Sequence, residues 1–98
     1  MLFLKGGEFV NYLVSYDLSN PGRDYSRLVE AIKAASTGVW CCPLESVFVI
    51  RSDRSASEIF DLLSPALDAN DHLLVLEAGR AARWRLDQKS SDYLQSIL

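Results

Sequence analysis

The chain has no apolar run approaching the roughly 18–20 residues that a membrane span requires. Cysteine is scarce: Cys41 and Cys42 are the only two, and they are adjacent. Neighbouring cysteines close no disulfide framework and lack metal-ligand spacing, so the expectation is a reduced, cytoplasmic protein. Histidine occurs once, at His72. A lone histidine opening an apolar strand reads as a packed or strand-end residue rather than an acid–base catalyst. Glycine-rich phosphate loops, zinc spacing and a helix-turn-helix signature are missing. A Ser-His-Asp set has its residue types but no motif context. Positive charge is also short, with ten basic against thirteen acidic residues and a net charge of −3. That balance argues against a broad non-specific nucleic-acid surface, while leaving room for a small local one.

What is present is one ordinary domain. The 98 residues, 49% hydrophobic and 23% charged, suffice for a single core without staples. Met1–Gly7 is too short for a signal peptide and carries its charge on the wrong side, so residues 1–10 read as a flexible lead-in. Residues 11–79 read as the core and 80–98 as an extension.

Asn11–Asp17 is rich in β-formers and precedes the turn signal Asn20-Pro21-Gly22. Asp24 is a candidate cap for a helix over 24–36, in which Tyr25, Leu28, Val29, Ile32 and Ala35 recur at helical spacing. Gly38 can then take a left-handed conformation. Val39–Cys42 and Glu45–Arg51 suggest a hairpin with Pro43 at its bend. Ser55-Ala56-Ser57-Glu58 is a capping box, and Pro65 predicts a break near Ser64. His72–Glu77 is the last core strand, and a short helix follows over about 90–98. The order β-α-β-β-α-β predicts an α+β, ferredoxin-like sandwich: an antiparallel sheet with two helices on one face, plus a C-terminal strand or short helix.

Strand alternation leaves both sheet faces largely apolar. Two helices cover one face. A second copy of the chain is the simplest cover for the other, with the terminal helix folding back as the alternative. Trp84, Leu86, Tyr93, Leu94, Ile97 and Leu98 lie beyond the core sheet, so the 80–98 extension is expected to dock on the partner chain.

Two residue sets are candidates for chemistry. Asp17 ends the first strand; it can close the Ser19–Gly22 turn as an Asx residue or hold a divalent cation with its two-fold mate. Arg80, Arg83, Trp84 and Arg85 form the one basic patch. Arginines with an interleaved aromatic can bind phosphates and stack on a base; the alternative is a charged edge strand that blocks aggregation.

Tyr12-Leu13-Val14-Ser15-Tyr16-Asp17-Leu18 resembles the first strand of the small CRISPR-associated nuclease-like family, the second protein of the adaptation pair. Ser46-Val47-Phe48 resembles that family's third strand, and Asn70–Leu76 its last core strand. The virulence-associated protein D toxins share the fold. The tyrosine-aspartate-leucine start, the proline-glycine loop and the helix-opening tyrosine are similar to short bacterial proteins often labelled as a SinR family. The match covers about residues 11–79. The resemblance implies a ferredoxin-like homodimer in which Asp17 of both chains is catalytic and holds Mg²⁺ or Mn²⁺ for endoribonuclease-like hydrolysis of RNA. The acidic balance, and the absence of a basic cluster from Ser19–Arg23, support a rival: a non-catalytic dimeric scaffold of the same fold. The arginine cluster gives a third reading, a regulator that binds RNA or DNA.

Overall fold

β-branched and aromatic residues dominate Val10–Asp17, and this segment is the first strand, β1, of a computed structural model that describes residues 9–19, 24–79 and 87–97. The further elements are α1 (Ser26–Ala35), β2 (Trp40–Leu44), β3 (Val47–Ser52), α2 (Ala56–Leu63), β4 (His72–Glu77) and α3 (Gln88–Ile97). The fold is α+β: the described residues form one four-stranded sheet, ordered β2-β3-β1-β4 with every pairing antiparallel, and three α-helices.

The helices start and stop for local reasons. Asp24 does not begin α1; its Oδ1 accepts the Ser26 N–H at 2.9 Å, and the helix opens two residues later than its signal predicted. At the other end the Ser36 hydroxyl donates to the Lys33 carbonyl at 2.6 Å and accepts the Gly38 N–H at 3.0 Å. Gly38 has φ +102°, a backbone that L side chains rarely adopt. Ser55 and Glu58 form both bonds of the expected capping box on α2, at 3.1 and 2.8 Å. Pro65 has no N–H to continue the ladder, so the helix tightens into a 3-10 turn over Ser64–Ala66.

Pro43 is not at the hairpin bend. The bend is Glu45–Ser46, and Pro43 lies inside β2, where the register shifts between Cys41 and Leu44. A bulge on an edge strand is the one place in a ladder where a residue without an N–H costs little.

Helices α1 and α2 cover one face of the sheet. Leu28, Ile32, Ile59 and Leu63 bury their side chains against Tyr12, Val14, Phe48 and Ile50. An aromatic row, Tyr16–Phe48–Trp40, extends this layer toward β2, with ring centroids 6.5 and 5.8 Å apart. Lys33 lies 4.6 Å over the Trp40 ring. Helix α3 takes the opposite face on the β2 side, where Ser90, Leu94 and Cys41 are buried. Within the chain α3 thus contacts its own β2. The β1–β4 side of that face stays open: Leu74 and Leu76 are 52% and 42% exposed. No helix among the described residues is long and apolar enough to cross a membrane.

Truncating Ile59, fully buried between α2 and the sheet, is expected to cost about 2–5 kcal/mol of unfolding free energy. Ser55→Ala, which removes the cap alone, is expected to cost about 1 kcal/mol. Urea denaturation of both variants with unchanged m-values checks the ranking.

Candidate functional site

Alternation along β1 sends Tyr12, Val14 and Tyr16 toward the helices and Leu13, Ser15 and Asp17 to the other face. Register carries this to the neighbours. Leu13 pairs with Leu76, Ser15 with Leu74 and Asp17 with His72. On the other side Ser15 pairs with Val47 and Leu13 with Val49. Among the described residues the outer face therefore has an apolar middle, the polar pair Asn11 and Arg51 at one end, and a polar corner made by Ser15, Asp17 and His72 at the other. These three, with Tyr16, Leu73 and Leu74, line a shallow concavity of about 180 Å³.

Asp17 and His72 are both exposed. Among the described residues, neither side chain has a hydrogen bond or ion pair. The turn-closing role open to Asp17 falls instead to Asp71, which the sequence reading passed over. Asp71 Oδ1 accepts the Ser19 N–H at 2.8 Å, the Ser19 hydroxyl at 3.0 Å and the Tyr25 hydroxyl at 3.0 Å. Its Oδ2 accepts the Asp68 N–H at 2.7 Å. One carboxylate thus ties the segment after β1 to the turn before β4.

Partial burial works to raise the Asp71 pKa. The donors from Ser19, Asp68 and Tyr25 together outweigh it and hold the carboxyl down at about 2. The run Asp68-Ala69-Asn70-Asp71 has the composition of a turn, but composition does not say which of its acids faces a partner 52 residues away.

A second concavity, of about 580 Å³, lies between Gly38–Cys42 and the start of α3. Cys41 and Cys42 are among its described lining residues. Burial, only partly offset by a hydrogen bond with Ser90, pushes the Cys41 thiol up to about 11. Partial burial and Asp87 also raise the Cys42 thiol. A protonated thiol is a weak nucleophile, and Cys41 packs under α3 as a small apolar residue. Asp87 accepts the Ser90 N–H at 2.9 Å and so occupies the α3 N-terminus.

Of the candidate residues, Asp17 stands at the polar corner. Arg80, Arg83, Trp84 and Arg85 lie outside the described residues, as do Met1–Glu8 of the lead-in. Among the described residues no group of three or more His, Cys, Asp or Glu side chains gathers within one chain. Comparison with protein-family models, curated proteins and solved structures finds no match for this chain.

Because the folded Asp71 pKa lies below its ordinary 3.8, the carboxylate contributes stability above that value and loses it as pH falls toward about 2. Asp71→Asn is therefore expected to be less stable than wild type at pH 7, with the gap closing between about 4 and about 2. Urea denaturation across pH 2–7 measures it; a gap independent of pH would assign the loss to shape rather than charge.

Proposed function

We propose that the chain is a ferredoxin-like protein that pairs with a second copy through its outer sheet face and hydrolyses phosphodiester bonds in RNA, with Asp17 of both chains holding a divalent cation. One observation carries this reading. Asp17 is exposed at one end of an outer sheet face whose middle is apolar, and Asp71 takes the bonds that would have made it a turn residue. The element order β-α-β-β-α-β and the strand order β2-β3-β1-β4 support the ferredoxin-like arrangement. The exposed Leu74 and Leu76 support the pairing, since large apolar patches mark interaction surfaces. The resemblance of residues 11–79 to the CRISPR-associated and virulence-associated D families points the same way.

The donor set fits a hard cation, which keeps several waters and needs one or two carboxylates from protein. Bound there, Mg²⁺ or Mn²⁺ would stabilise charge on the phosphodiester and acidify a water. The chain's own part is to present Asp17 without competing hydrogen-bond donors, to hold it on a strand paired on both sides, and to exclude water from the neighbouring seam with Leu13, Leu74 and Leu76. Arg80, Arg83, Trp84 and Arg85 are the phosphate and base contacts in this reading. Free thiols at Cys41 and Cys42 suit a reducing, cytoplasmic setting.

The second reading, a dimeric scaffold without catalysis, is favoured by the net charge of −3, which repels a polyanion. Sedimentation at micromolar concentration is expected to give twice 11.0 kDa; a monomer removes both readings. Mn²⁺ is expected to raise the wild-type melting temperature and to leave Asp17→Asn unmoved. The metal-free Asp17→Asn dimer is expected to be the more stable, because two facing carboxylates repel. RNA cleavage is expected to disappear in that variant. A metal-indifferent wild-type dimer leaves the scaffold.

A further inference from the structure

Asp17 and His72 are direct cross-strand partners in the β1–β4 ladder. Such partners share a face and hold their Cβ atoms about 4.5–5.5 Å apart. Both side chains are exposed, both line the same concavity, and among the described residues neither is engaged by any other group. A histidine expected as a packed or strand-end residue is thus set beside a carboxylate that has no structural work of its own. The pairing follows from register: with Leu13 opposite Leu76 and Ser15 opposite Leu74, Asp17 has no position but opposite His72.

We infer that His72 is a second ligand of the Asp17 site, so that each chain supplies one oxygen and one nitrogen donor to a first-row transition cation bound between two copies. This inference rests on the proposed pairing of two chains through the outer face. Donor chemistry sets the choice of cation. Carboxylate oxygen and imidazole nitrogen each reach Zn²⁺ at about 2.0–2.2 Å, a span that neighbouring cross-strand side chains can close on one ion. Imidazole suits Zn²⁺ and its neighbours in the first row, whereas Mg²⁺ takes oxygen ligands and keeps its waters. His72 therefore turns a site open to any hard divalent cation into one that favours a transition metal. One chain alone offers two donors, too few for a closed site, so binding and dimerisation are coupled.

The test is Co²⁺ titration of the untagged full chain, followed by visible absorption and by sedimentation. His72 is the chain's one histidine, so an imidazole-ligated cobalt band has a single source on the side chains. Wild type is expected to bind one Co²⁺ per two chains and to shift toward the dimer as it does so. His72→Gln is expected to weaken Co²⁺ by roughly tenfold or more, at least what loss of an outer-shell partner costs, while keeping the Mn²⁺ response that depends on Asp17. His72→Asp, which restores a donor but makes it oxygen, is expected to keep Mn²⁺ and Mg²⁺ binding without the cobalt-imidazole band. His72 is exposed at a strand end, so these variants are expected to keep the wild-type circular dichroism. If His72→Gln binds Co²⁺ as wild type does while Asp17→Asn does not, His72 is no ligand and the Asp17 reading stands alone. If wild type binds Mg²⁺ or Mn²⁺ but not Co²⁺, the nitrogen-donor inference is overturned by itself. If none of these cations binds, it falls together with the metal-dependent reading.

Discussion

β1 is hydrogen-bonded on both sides, to β3 and to β4, and its two-residue alternation assigns the faces of every strand beside it. Tyr12 and Val14 enter the helix layer, which obliges Leu13, Ser15 and Asp17 to the opposite face. A slip of one residue against either neighbour would place Asp17 among the helices and expose Tyr12. Burial of the helix-facing set therefore holds the polar corner in position without any contact to it. The hydrophobic effect, which has no directional content, is converted by strand pairing into a fixed position for two polar side chains.

The two aspartates near the strand ends divide the work. Asp71 spends its carboxylate on four donors from three residues, and those bonds span the break between β1 and β4. Asp17 is relieved of that role. A carboxylate saturated with N–H and O–H donors is a poor metal ligand, since its lone pairs are taken; an exposed one without partners keeps them. The same division explains why Asp71 is acidified while remaining structural, a reminder that a shifted pKa marks a crowded group and not always a reactive one.

The two sheet edges are also unlike. β2 carries Pro43, a register shift and α3 against it, all of which discourage another strand from pairing there. Among the described residues β4 has no proline and no register shift, and its outward Leu74 and Leu76 are exposed.

Local signals were legible where one short stretch of chain settles its own conformation. The Ser55–Glu58 capping box, the stop at Pro65 and the heptad-like spacing of Leu28, Ile32 and Ala35 each depend on residues within a turn or two. The alternation of Asn11–Asp17 likewise showed which residues share a face. The error at Pro43 arose because proline marks both a bend and a bulge, and only the pairing of β2 with β3 separates the two. By itself the sequence determined the elements, their order and the candidate Asp17, because propensity, capping and periodicity act between neighbours. Tertiary structure alone decided that Asp71 takes the donors of Ser19 and Tyr25, that α3 seats over Cys41, and that His72 stands opposite Asp17. Those outcomes depend on register between strands far apart in the chain, which is set by total burial across the sheet and by no residue acting locally.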